Sequence, residues 1–413
     1  MLLSLARIAV LLIDPPPPKP TDTDLGVIRE ARRRRRRRLS LTAALTVAVA
    51  GATWLALGAG GPGESAAIGR SRPPEPLPRL SGPALEGPTH LRLVVAGRPP
   101  FVLDVDTTTI HSVGGVGLPA VRPTLWSPML ESLSRTPGGA LGLVSHQACR
   151  HCARSVSAFL IAADGTARHL ATIQLRGDDA VAPALGSAAV WLLARLPTGS
   201  CTLTLVPGAN PGVPVPCGSL VGETRSGVLI STARDAYIVD PRSGRVRVRV
   251  AVSPHVAVYN LDGSLALENA DPRAGGPIGL HFGHLSLVNL GTGRRRVLVW
   301  PSAFGNIIRV VPEPGGPLVA VDFGSPAYPG QAQAEDVWIL NTANGRFTHV
   351  PGYPAQVDIK FSDVVWTADR RLVIVAQGGG RSVIGVWRPG ASTLPLRAVP
   401  ARAGYSTLVA LGG

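Results

Sequence analysis

The sequence predicts an all-β fold: seven small four-stranded sheets, preceded by one transmembrane helix and a linker. Three observations carry this. Gly and Pro number 48 and 39 while apolar residues hold at 45%, a composition suited to many short strands joined by tight turns. Amphipathic helical runs of a dozen residues are scarce beyond residue 65. A strand–turn–strand pattern then recurs at a mean spacing of 47 residues, and four short strands per unit at about that period is the pattern of a seven-bladed β-propeller.

The amino end is organised around charge. Residues 1–38 form a basic arm that ends in seven consecutive arginines, Arg32, Arg33, Arg34, Arg35, Arg36, Arg37 and Arg38. The apolar start, MLLSLARIAVLLI, is too short to span a bilayer and is interrupted by Arg7. Residues 39–60, LSLTAALTVAVAGATWLALGAG, hold neither charge nor proline. As a helix they would extend about 33 Å, enough for a hydrocarbon core. An arginine costs about 2.5–3.5 kcal/mol at the bilayer centre, so the run stays in the cytoplasm, where it meets anionic lipid headgroups. The expected location is therefore the cell membrane, single-pass, with the carboxyl-terminal domain extracytoplasmic. RRRLSL before an apolar run also resembles a twin-arginine export signal, and ALGAGG would then be its cleavage region. No cysteine closely follows the span, which excludes a lipoprotein anchor.

The formal charge of +15 suggests nucleic acid at first sight. Six of those charges sit in the basic arm, and the rest are spread thinly over the long remainder, so nucleic acid is not expected as a partner.

Residues 61–90 are a Pro/Gly-rich linker with no apolar periodicity. The domain at 91–413 then repeats. VDPRSGRVRVRV at Val239, VNLGTGRRRVLV at Val288 and LNTANGRFTHV at Leu340 share an apolar strand, Asp or Asn, three residues, Gly-Arg and a second strand. Asn and Asp bond their own backbone and Gly accepts positive φ, so each is a hairpin. Weaker copies stand at Asp106, Asp164, Pro207 and Arg388. The first unit has only three strands, and GYSTLVALGG is left over at the end. The carboxyl-terminal strand, 404–412, is expected to become the innermost strand of the first blade and close the ring. These turn-flanked segments resemble WD40-like and TolB-like propellers, in which an Asp-Gly turn follows the inner strand. Asp262-Gly263 matches that position and Asp369-Arg370 departs from it. The resemblance implies architecture and no functional residue.

Cys149, Cys152, Cys201 and Cys217 all follow the span. An even count in an exported domain implies two disulfides. Local pairing, Cys149–Cys152 and Cys201–Cys217, is expected because each pair brackets a short turn-rich loop. HQACRHCARS also invites a thiol-redox or metal reading through His146 and His151, but hairpins flank it and no helix start is available. His281 and His284, near Glu268 and Asp271, fall on opposite faces if extended. GGGR at Gly378 reads as a hairpin turn and DVD at Asp104 lacks the ligands of a calcium loop. Outside the span, the tryptophans read as packing between blades.

No catalytic residue, metal site or cofactor is therefore expected. The leading reading is a membrane-anchored, non-catalytic binding or scaffold module for an extracytoplasmic envelope protein, a glycan or a small ligand. The alternative is an exported propeller enzyme, a quinoprotein-type oxidoreductase or a lactone hydrolase, with its site at the channel mouth.

Overall fold

The computed structural model describes residues 78–413 except 97–99, 115–128, 148–153, 209–210, 253–256, 262–264, 271–283, 291, 325–331, 359–361, 379–380, 401–406 and 413. The basic arm, the span at 39–60, most of the linker, Cys149, Cys152, His151, His281, Asp271 and Asp262-Gly263 lie outside the described residues. Among the described residues no helix is long and apolar enough to cross a membrane.

The strands sort into seven antiparallel sheets, each a simple meander. The first holds β1 (Arg92–Val95), β2 (Phe101–Asp104) and β3 (Ile110–Ser112). The second holds β4 (Met129–Thr136), β5 (Gly139–Gln147), β6 (Arg154–Ile161) and β7 (Ala167–Leu175). The third holds β8 (Ala180–Pro183), β9 (Val190–Arg195), β10 (Cys201–Val206) and β11 (Val213–Val215). The fourth holds β12 (Ser219–Thr224), β13 (Gly227–Ser231), β14 (Asp235–Val239) and β15 (Val246–Ala251). The fifth holds β16 (Ala257–Asn260), β17 (Leu265–Ala270), β18 (His284–Asn289) and β19 (Arg295–Leu298). The sixth holds β20 (Asn306–Pro312), β21 (Leu318–Gly324), β22 (Ala332–Asn341) and β23 (Arg346–His349), with β24 (Ala355–Asp358) added to β22. The seventh holds β25 (Asp363–Trp366), β26 (Leu372–Gly378), β27 (Arg381–Trp387) and β28 (Leu396–Val399). The last strand, β29 (Leu408–Leu411), returns to the first sheet and pairs with β1, Leu93 opposite Ala410 and Val94 opposite Val409.

The period of two along a strand explains how such small sheets persist. In β1, Leu93 and Val95 pack toward the seventh sheet with Val373, Ile384 and Val386, while Val94 packs toward the second with Val144 and Phe159. β29 divides in the same way, Leu408 and Ala410 to one side and Val409 and Leu411 to the other. A sheet apolar on both faces is stable only between two neighbours. Further clusters join the second sheet to the third, the third to the fourth, and so on to the seventh. The fold is an all-β propeller. Tryptophans fill these junctions as expected, with Trp191, Trp366 and Trp387 all buried.

The repeated hairpins link the third and fourth strands of their sheets, and their chemistry is uniform. Asp240 Oδ1 accepts the Arg242 amide at 2.9 Å, Asn289 Oδ1 that of Thr292 at 3.0 Å, and Asn341 Oδ1 that of Ala343 at 3.0 Å. Four residues on, Gly244, Gly293 and Gly345 take φ of 70°, 69° and 72°, the left-handed region that a side chain resists. Gly378, the last residue of β26, pairs with Arg381, the first of β27.

Two findings refine the sequence reading. Cys201 and Cys217 are bonded, Cα atoms 5.2 Å apart, and fasten the start of β10 to the chain beyond β11. The linker is also shorter than its composition implies. Leu85 donates its amide to Leu396 O at 2.8 Å, and Leu396 returns one to Pro83 O at 2.8 Å. Leu80 and Leu85 pack against the cores on either side of the seventh sheet. Proline has no amide to offer, but its carbonyl accepts; two leucines at the right spacing convert Pro-rich chain into a docked strap.

Candidate functional site

A cavity of about 820 Å³ is built from turns of six sheets. The ends of the first strands and the turns after them supply most of it: Ser134–Gly139 at β4, Pro183–Gly186 at β8, Gly222, Glu223 and Arg225 at β12, and Pro312, Pro314 and Gly315 at β20. Asn260 at the end of β16 and Leu411 and Gly412 after β29 complete the wall. These first strands neighbour one another across the sheets: β8 with β12, β12 with β16, β16 with β20, β20 with β25, β25 with β29, and β29 with β4. The cavity therefore lies where the sheets converge. Its size falls in the range of small-molecule sites, roughly 300–1,000 Å³.

The wall is mostly glycine, proline, alanine and leucine, with three charged side chains, Arg135, Glu223 and Arg225. Glu223 is already committed. Its Oε2 accepts the Leu185 amide at 2.6 Å and the Trp191 indole N–H at 2.8 Å. Asn260 Nδ2 donates to the Glu223 carbonyl at 2.7 Å, tying the fifth sheet to the fourth. Arg135 is different: its Nη1 is buried with no hydrogen-bond partner, and so are Ser134 Oγ and Thr136 Oγ1 on either side.

A second polar cluster lies between the sixth and seventh sheets. Arg309 on β20 faces Asp322 on β21 at 3.4 Å and Asp363 on β25 at 3.5 Å. Its Nη2 is 3.5 Å from Ser362 Oγ, whose hydroxyl is given to Glu335. Burial, with Glu335 nearby, holds the Asp322 carboxyl well above its ordinary range against the pull of Arg309. Burial likewise raises Glu335, and it lifts Asp363 to about 6 despite the same guanidinium. Tyr353, raised by burial and by these carboxylates, completes the group. On the other face of β22, Asp336 accepts from Ser302 at 2.6 Å and Trp338 at 2.7 Å, with His349 Nε2 at 2.7 Å. Burial opposes that ionisation, but the hydrogen bonds win and Asp336 is lowered. None of these groups lines the cavity. They fasten sheets together.

The motifs singled out in the sequence are structural where they are described. Asp104 Oδ1 caps a turn by accepting the Asp106 and Thr107 amides, both at 3.0 Å. Asp106 is partly desolvated, yet bonds from Thr89, His90 and Arg397 bring it down to about 2. The Asp369-Arg370 turn departs from Asp-Gly for a visible reason. Arg370 adopts φ of 66°, and its guanidinium pairs with the buried Glu313 of the sixth sheet. His146 lies on β5 and His284 on β18, on different sheets. Among the described residues no group of three or more His, Cys, Asp or Glu is placed to hold a metal.

Sequence reading missed the cavity wall and the Arg309 cluster. The wall had one weak signal: TPGG, PALG and PEPGG each follow a first strand, and such Pro/Gly turns let backbones approach closely. The cluster had a better one, since Arg309 in NIIRVVP and Asp322 in LVAVDFG interrupt strands that are otherwise apolar.

No protein-family model matches the chain, and neither does any curated protein sequence. Solved structures with a similar course of chain include the β-propeller domain of the Trilobed protease from Pyrococcus furiosus, 8% identical, covering 67% of this chain and 84% of that one at a TM-score of 0.45. Apo AztD from Citrobacter koseri is 13% identical over 78% of this chain and 98% of that one, TM-score 0.46. Hydrazine synthase from Kuenenia stuttgartiensis is 16% identical over 71% and 92%, TM-score 0.46.

Proposed function

We propose that the chain is a membrane-anchored, extracytoplasmic, seven-bladed β-propeller that acts as a non-catalytic binding module, with a small ligand held in the cavity at the hub. The single observation that carries the binding half is the cavity itself, drawn from six sheets and walled by close-packed turns with few charges. A site assembled from several sheets on a rigid frame recognises shape, because its walls do not move independently. The location half rests on the arginine run before an uncharged 22-residue stretch and is supported by the Cys201–Cys217 bond, which suits an oxidising compartment.

The binding half is tested by extracting small molecules from protein purified from its own cells and identifying them by mass spectrometry. Leu185 lines the cavity and is half exposed, so Leu185→Trp should obstruct the site without disturbing the core. A compound carried by the natural protein and by Val299→Trp, a change on the exposed rim, but lost from Leu185→Trp is the expected result. A compound retained by Leu185→Trp would place binding elsewhere. The location half is tested by adding protease to spheroplasts. The propeller should be digested in intact spheroplasts, and digestion only after rupture would put it inside.

A further inference from the structure

We infer that the hub cavity takes a small organic anion, a carboxylate or similar acid group on an apolar body, with Arg135 as the residue that receives the charge. The inference rests on the cavity being the binding site and deepens that reading.

The charge of the wall is the starting point. Of its three charged side chains, Glu223 is the one anion, and its Oε2 is occupied by the Trp191 indole and the Leu185 amide. Arg135 and Arg225 are the cations of the wall. Ion pairs satisfy arginines elsewhere in the domain, as Arg309 with Asp322 and Asp363, and Arg397 with Asp106. Arg135 has no such carboxylate among the described residues, and its Nη1 is shut off from solvent without a hydrogen bond.

Leaving that one nitrogen without a partner is costly. A buried donor without a partner forfeits about 1–3 kcal/mol, and more when charged. Native structures keep such groups where a ligand, water or ion completes them. Thr136 is 6% exposed, and its hydroxyl and that of Ser134 are likewise without partners. Three consecutive residues of one first strand, all at the cavity wall, thus carry buried polar atoms without partners, Arg135 on one face of the strand and the two hydroxyls on the other. The remaining wall is aliphatic and backbone, which favours an apolar body over a sugar or a polyphosphate. A carboxylate against the Arg135 guanidinium, with apolar contact around the rest of the molecule, matches this wall.

The test uses the full chain in nanodiscs and isothermal titration with 1-naphthoate, its neutral analogue 1-naphthamide, and inorganic phosphate, empty nanodiscs being subtracted. 1-Naphthoate should bind at least tenfold more tightly than 1-naphthamide, and phosphate should show no heat. Arg135→Met should weaken 1-naphthoate at least tenfold and leave 1-naphthamide unchanged, while Arg135→Lys should restore part of the loss. Leu185→Trp should abolish binding of both. Equal affinity for the acid and the amide, or an Arg135→Met variant that binds the acid as before, would overturn the anion while leaving the cavity reading intact. Phosphate binding without naphthoate binding would overturn the apolar body. Absence of any binding, or binding that survives Leu185→Trp, would remove the cavity reading and this inference with it.

Discussion

Replacing Arg309 by methionine is expected to destabilise the domain by about 3–5 kcal/mol, the usual cost of removing one partner from a buried charge cluster. Asp322, Glu335 and Asp363 would then face one another with no cation between them, all of them buried. Urea unfolding followed by tryptophan fluorescence gives the measurement. Because that variant risks failing to fold, Asp363→Asn provides the complementary reading. The Asp363 carboxyl is lifted to about 6 by burial, so the fold keeps its proton at pH values where the unfolded chain has lost it. Stability then falls as pH rises. The contribution is complete below the ordinary value of 3.8 and is lost as pH passes through about 6. Asp106 runs the other way, contributing above 3.8 and losing that contribution as pH falls toward about 2. Taken together, these two groups contribute most near pH 4, on the acid side of neutrality. Asp363→Asn should flatten the decline between pH 4 and 6 and gain relative stability at pH 8. An unchanged slope would mean that Asp363 is not what titrates.

Ending the chain after Arg402 is expected to do more damage still. The truncation removes β29, whose four residues are all buried and shared between two clusters. Burial of each Leu or Val side chain stabilises by about 1.5–3 kcal/mol, so Leu408, Val409 and Leu411 together approach the whole net stability of a domain, about 5–15 kcal/mol. The truncation also bares β1 along its pairing edge, and a bare apolar edge recruits other chains. Size-exclusion chromatography should show aggregate or no soluble product. A monomeric, cooperatively unfolding product would show that β29 does not hold the first sheet.

The two results differ in how far the sequence foretells them. β29 is legible because its role is set by counting: the first unit lacks a strand and the end of the chain supplies one. The hairpins at Asp240, Asn289 and Asn341 are legible because the responsible atoms lie within four residues of each other, the side-chain oxygen, the amide it receives and the glycine at positive φ. The strap at Pro78–Thr89 was hidden because a Pro-rich composition says only that a segment is extended, and its partners, Leu396 and Gln356, are hundreds of residues away in sequence. The cavity was hidden for the same reason on a larger scale. Ser134, Glu223, Asn260 and Pro312 meet only through the curvature of the whole assembly, and no spacing along the chain encodes that. Arg309 stands between these cases. A charge inside an apolar strand announces a buried partner without saying which one, and its three carboxylates come from β21, β22 and β25.

Purified from its own cells without refolding and crystallised, the chain should show organic density at the hub, against the turns after β4, β8, β12 and β20 and beside Arg135. Ordered water alone in that cavity, with an organic molecule seated on the outer rim, would contradict the account.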